Sequence, residues 1–207
     1  MPNRTESDEL LVLSREPSGE NHLKLQLLGK QSGLLLGLLR QSRSGKTRRH
    51  SPPDLFDCID ATFSSPKTGA SGPVFFSETT ILRSHPGLAR RYANLEAAVA
   101  YARMLIRNAG HLEDHNRLYH LSREFIGGLE HTSHPRAALL KVYFRFFREE
   151  GYPLKEDWWQ GLPTEQRERA SYLLKTPLHS IQDPDKTAEN ILQSLTRWIG
   201  GHTDILL

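Results

Sequence analysis

His22–Arg40 reads HLKLQLLGKQSGLLLGLLR. Leu23, Leu25 and Leu27 alternate with His22, Lys24 and Gln26, the period of a strand with one buried face. Gly29 to Gly33 supplies turn residues, and Leu34 to Leu39 follows as a second apolar run of strand length. Upstream, Leu10-Leu11-Val12-Leu13 is separated from His22 by the turn signal Glu16-Pro17-Ser18-Gly19. Downstream, Asp54 to Phe63 predicts a fourth strand and Val74 to Leu82 a fifth, with the Gly-, Ser- and Thr-rich stretch Pro66 to Pro73 as an exposed turn between them. Five short strands with no intervening helix argue against a parallel sheet and for a small barrel or sandwich. A five-stranded OB-fold is the economical solution, because a nearly closed barrel leaves little open edge.

At Ser84-His85-Pro86 the apolar period changes from two to about 3.6 and stays helical to the end. Leu88, Tyr92, Leu95, Val99, Ala102 and Ile106 predict one face of a helix running to about Asn108. A second helix follows the cap residue Asp114 and carries Leu118, Leu121, Phe125 and Leu129. A third opens at Pro135 and ends at Gly151, and two more lie near Thr164–Lys175 and Pro184–Ile199. The expected class is therefore α+β, with an OB-fold nucleic-acid-binding domain over residues 1–83 and an all-α helical domain over residues 84–207.

A net charge of +3 and a pI near 9.1 are mild, so the position of the charge matters more than its total. Lys30, Arg40, Arg43, Lys46, Arg48 and Arg49 fall between Lys30 and Pro53, a stretch with no Asp or Glu. Ser44-Gly45-Lys46-Thr47 resembles the end of a phosphate-cradling loop, but that pattern needs glycine where Arg40 stands. Two readings remain: a solvated basic turn, or a loop that meets a phosphate backbone. About four contacts to a single strand would give a log–log salt slope of roughly −3. Phe56, Phe63, Phe75 and Phe76 are the candidate stacking aromatics, half of them expected in the core because alternation sends neighbours to opposite faces.

Cys58 is the sole cysteine, which excludes an internal disulfide and any zinc site with two thiolates from one chain. In a predicted strand with Asp57 and Asp60 nearby, it is expected to be a small core residue rather than a nucleophile. The polar, acidic start MPNRTESDEL lacks the layout of a secretory signal, and no apolar run spans a bilayer, so a cytoplasmic, nucleoid-associated protein is expected. His111, Asp114, His115 and His120, with His131 and His134 beyond, raise a metal-dependent enzyme as an alternative; the helix stop Asn108-Ala109-Gly110 and the absence of a general-base Glu argue against it. No metal and no cofactor are expected.

The third helix is apolar nearly all round, yet Lys141, Arg145 and Arg148 lie at i, i+4 and i+7 and share one stripe. That stripe is either a solvent edge paired to nearby acids or, with Phe144 or Phe147 beside it, a seat for an acidic peptide with an apolar end.

Taken in order, the strand ending at Gly33, the basic loop, Pro52-Pro53, Tyr92-Ala93-Asn94-Leu95-Glu96, the aromatic helix closing on Gly151-Tyr152-Pro153, and Trp198-Ile199-Gly200-Gly201-His202 resemble the bacterial recombination mediator RecO. The resemblance implies an OB-fold that binds single- and double-stranded DNA, and a helical domain that docks the acidic carboxy-terminal tail of single-stranded-DNA-binding protein (SSB). It further implies strand annealing and, with RecR, the loading of RecA, without catalysis. On this reading Lys30, Arg40, Arg43, Lys46, Arg48 and Arg49 bind DNA, while Lys141, Phe144, Arg145 and Arg148 receive the tail. Many relatives carry a four-cysteine zinc site after Gly-Tyr-Pro, where this chain has Leu154-Lys155-Glu156-Asp157-Trp158-Trp159. Leu38-Leu39 also stands where relatives carry Lys-Gly. A protein-interaction module with a degenerate barrel that does not bind DNA is the remaining alternative.

Overall fold

The computed structural model describes residues 4–40, 52–65, 72–108, 112–182 and 185–207. Five strands, β1 (Arg4–Ser18), β2 (His22–Gly29), β3 (Gly33–Arg40), β4 (Cys58–Ser65) and β5 (Val74–Arg83), form a closed barrel in the order β1-β2-β3-β5-β4. This is an OB-fold, and helices follow it, so the chain is α+β. Two compact units divide the chain: Met1–His85 with Ala109–His120, and Pro86–Asn108 with Leu121–Leu207.

The first strand is far longer than its apolar centre. Its amino-terminal part pairs with β4, from Arg4 opposite Ser65 to Leu11 opposite Cys58, and its later part pairs with β2, from Leu10 opposite Gly29 to Ser18 opposite His22. A bulge between Val12 and Ser14 gives the bend that one strand needs to serve two neighbours. Alternation fills the interior: Leu10, Val12, Leu23, Leu25, Leu27, Ile59, Ala61, Phe63 and Val74 form the core, with Leu35, Leu39 and Phe76 against it.

Closure rests on a short parallel contact in which Gly37 faces Val74 and Leu38 faces Phe75. The Phe76 ring occupies the space where a side chain on Gly37 would begin and meets Phe63 edge-on, with centroids 6.0 Å apart. At the far end, buried Asp8 accepts hydrogen bonds from the Gln31 and Ser32 amides, both 2.9 Å, and from the Ser32 hydroxyl, which ties the β2–β3 turn to β1.

The fourth strand starts later than the sequence predicts. The Asp57 carboxylate accepts from the Asp54 amide at 2.8 Å and Phe56 takes a left-handed conformation (φ 67°), so the chain turns before Cys58.

Among the described residues the α-helices are α1 (Tyr92–Arg107), α2 (His115–Leu129), α3 (Pro135–Glu149), α4 (Trp158–Gly161), α5 (Thr164–Lys175) and α6 (Asp185–His202), with short 3-10 turns at Pro86–Arg90 and Leu178–Ser180. In the helical unit α3 is central, burying Leu139, Leu140, Val142, Tyr143, Phe146 and Phe147 and packing on α1, α5 and α6. Two residues of the Tyr92–Glu96 stretch have structural work. The buried Asn94 amide donates to the Leu129 and Thr132 carbonyls, closing the end of α2, and Glu96 pairs with Arg136 at 2.8 Å.

The sharp end of α3 explains Gly151-Tyr152. Gly151 is left-handed (φ 85°), its amide donates to the Arg148 carbonyl and the Tyr152 amide to that of Phe147, and the Tyr152 ring packs on Phe147. These are the paired bonds and apolar contact of a Schellman cap. The cap reverses the chain so that residues 154–159 return beside α3.

Gly37→Val places a branched side chain where the Phe76 ring lies. It is expected to destabilise the protein by about 1–3 kcal/mol, read as a lower denaturant midpoint; an unchanged midpoint would show that the seam does not depend on this contact.

Candidate functional site

The barrel unit offers one candidate surface. Because β2 and β3 pair with His22 opposite Arg40 and Lys24 opposite Leu38, and β3 meets β5 with Leu38 opposite Phe75, one outward row runs Lys24, Leu38, Phe75. Arg40 and Leu36 stand two residues to either side of Leu38 on the same outer face. The β1–β2 turn, the end of β3 and the start of β5 therefore share one rim, the region where OB-folds take oligonucleotides.

Of the four candidate stacking aromatics, Phe56 and Phe63 are buried, and Phe76 packs on the core. Phe75 alone presents its ring, 54% exposed. Arg40 is exposed at this rim. Lys30 belongs to the opposite end of β3, about 20 Å or more away at strand rise, with its ammonium 3.1 Å from Glu9. Arg43, Lys46, Arg48 and Arg49 lie outside the described residues. Lys24 pairs with Glu16 at 3.2 Å.

The helical unit holds a cavity of about 530 Å³. Its α3 wall is the predicted stripe, Lys141, Phe144, Arg145 and Arg148, so these four residues do meet at one concavity. Sequence reasoning missed the opposite side: Ser171, Leu174 and Lys175, at i, i+3 and i+4 on α5, and Lys155 and Trp159 from the segment that the Gly151 cap turns back. Phe144 packs on Trp158, which in turn meets Trp159 edge-on and donates its indole N–H to the Ser194 hydroxyl. The result is an apolar floor of Phe144, Trp159 and Leu174 with five cations around it, and no acid lines it among the described residues. A smaller hollow of about 120 Å³ lies on the other flank of Lys141 and Arg145, walled by Leu121, Phe125, Val142 and Leu178 among others.

The five cations differ in state. Lys141 is half-buried, donates to the Leu174 carbonyl at 2.8 Å, and is held below the usual lysine range by burial. Arg145 donates from Nε to Glu149 at 2.9 Å and from Nη1 to Glu124 at 2.7 Å, and these bonds raise its pKa further. Arg148 is exposed and 3.9 Å from Glu149. Lys155 and Lys175 are exposed, without an ion-pair partner among the described residues.

His111 lies outside the described residues. His115 is committed to the barrel unit, its ring against Gly33 and its Nε2 2.9 Å from the Leu112 carbonyl. Among the described residues no group of three His, Cys, Asp or Glu side chains is placed to hold a metal ion. Cys58 is buried at the start of β4. Among the described residues no helix is long and apolar enough to cross a membrane. Compared with models of protein families and with curated proteins, the chain matched none.

The lowered pKa of Lys141 predicts a pH dependence. The penalty for burying its charge is fully present below the folded-state pKa and is relieved as the pH rises from there towards the ordinary lysine value. Lys141→Met removes that penalty, so its stability relative to wild type should be greatest at neutral pH and decline at about pH 10. Denaturant titrations at both pH values measure this, and a constant difference would mean that the amine is not desolvated.

Proposed function

We propose that the chain is a RecO-like recombination mediator: a binding protein, not an enzyme, that holds single- and double-stranded DNA on its barrel and docks the acidic SSB tail on its helical unit. The observation that carries this reading is the cavity. An acidic peptide with an apolar end needs cations around an apolar floor, and Lys141, Arg145, Arg148, Lys155 and Lys175 line the cavity with Phe144, Trp159 and Leu174, with no lining carboxylate among the described residues. DNA binding is supported by the rim of the barrel. Phe75 offers a stacking face and Arg40 leads into Arg43, Lys46, Arg48 and Arg49, five cations within ten residues without an acid. Lys30, paired with Glu9 at the other end of β3, contributes least to this set.

A protein of this kind brings complementary strands together and, with RecR, gives RecA access to SSB-coated DNA. It would work in the cytoplasm on the nucleoid. No cofactor enters the scheme, and residues 154–159 replace the cysteine segment of many relatives with Lys155 and two tryptophans. A second reading, a barrel that meets protein instead of DNA, is favoured by one observation: Leu36, Leu38 and Phe75 leave an apolar strip on its outer face.

Fluorescence anisotropy of labelled single-stranded DNA across a salt series separates the two. Wild type is expected to bind with a log–log slope of roughly −3, and Arg43→Ala, Lys46→Ala, Arg48→Ala and Arg49→Ala combined should abolish binding. Phe75→Ala should cost about 1–3 kcal/mol with the slope unchanged. Salt-sensitive binding retained by the four-fold variant would refute the loop as the DNA contact, and no binding by wild type would favour the protein-facing barrel.

A further inference from the structure

The docking reading leaves open which of the five cations recognise the ligand's carboxylates, and the ion pairs around the cavity answer this. Arg145 already holds two acids, one on each side: Glu124 from α2 and Glu149 from its own helix. Glu149 also lies 3.9 Å from Arg148. Two glutamates therefore balance the two arginines, and the net positive charge of the cavity resides on the three lysines. Lys141 is half-buried and its ammonium is committed to the Leu174 carbonyl. Lys155 and Lys175 are exposed on the cavity wall formed by α5 and the segment returning after α3.

We propose that Lys155 and Lys175 are the carboxylate-recognising groups of this cavity, and that Glu124 and Glu149 are built-in competitors that occupy Arg145 and set the affinity. The inference rests on the acidic-peptide reading and assigns a direction to it. The ligand's apolar end lies on Phe144, Trp159 and Leu174, while its acidic run leaves over the Lys155–Lys175 side, away from Arg145 and the glutamates that pair with it from outside the lining. A carboxylate approaching Arg145 meets a guanidinium whose Nε and Nη1 are already donating to glutamates, and it experiences the repulsion of both. At Lys155 and Lys175 it meets ammonium groups with no ion-pair partner among the described residues and displaces no ion pair seen there.

The sequence stripe is thus divided by its own helix geometry. Glu149 lies one turn beyond Arg145 on α3, the spacing at which an acid and a base pair along a helix. Lys175 sits in the last turn of α5, where a cation is favoured by the helix carbonyl end and keeps its charge facing solvent.

The test is anisotropy of an end-labelled, aspartate-rich peptide terminating in phenylalanine, titrated with the full-length chain. Lys155→Ala combined with Lys175→Ala should weaken binding about tenfold, two exposed ion pairs' worth, and flatten the salt dependence. Glu124→Gln combined with Glu149→Gln should release Arg145 and tighten binding about threefold. The four positions are at least partly exposed, and matching thermal melts confirm that the variants fold. Wild-type-like binding by the lysine pair, or unchanged or weaker binding by the glutamine pair, would overturn this assignment while leaving the docking reading intact. No binding by wild type would overturn both.

Discussion

Gly37 has no side chain, and the closure of the barrel depends on that. Phe76 enters the vacant space, Val74 and Phe75 come into parallel register with Gly37 and Leu38, and β5 can join β3. The other strand pairs are long antiparallel ladders, whereas this contact involves two residues on each strand. Its register sets Phe75 beside Leu38 and close along β3 to Arg40. An aromatic face and the start of the basic stretch thereby share one rim, and Lys30 is left at the other.

In the helical unit the corresponding constraint is the end of α3. A helix that is apolar on nearly every side needs a polar edge for its charged residues, and Lys141, Arg145 and Arg148 share one edge of α3. The Schellman cap at Gly151 then returns the chain, so that Lys155 and Trp159 meet α3 from outside and α5 closes the third side. Both halves of the functional proposal thus trace to local backbone geometry at a glycine: close approach at Gly37, and left-handed φ at Gly151.

The barrel was legible because Leu23, Leu25 and Leu27 alternate and turn residues punctuate the runs. The full length of β1 was not, since Arg4 to Ser7 and Arg15 to Ser18 pair through backbone while contributing few apolar side chains. Asp54 to Asp57 read as strand because the left-handed turn at Phe56 leaves no local signal in an aromatic residue. The large apolar side chains suggested one helical face from Leu88 through Tyr92, yet Leu88 is buried in a separate 3-10 turn before α1, Tyr92 is exposed, and α1 buries Asn94, Ala97, Ala98, Tyr101, Ala102, Met104 and Leu105. Alanines permit close approach to α3, which a search for bulk overlooks. The α3 wall of the cavity followed from the helical repeat, but Lys155, Trp159 and Lys175 join it through tertiary packing across three segments, beyond the reach of any single periodicity.

On the proposed function, the barrel and the cavity serve one activity: DNA held by one unit while the other engages the protein that coats it. The most direct measurement is the annealing rate of complementary single strands pre-coated with SSB, comparing intact SSB with SSB lacking its acidic tail. The account predicts rapid annealing on the intact coat, a large loss on the tail-less one, and acceleration of naked strands as well. Equal rates on both coats, or no acceleration of naked strands, would contradict it.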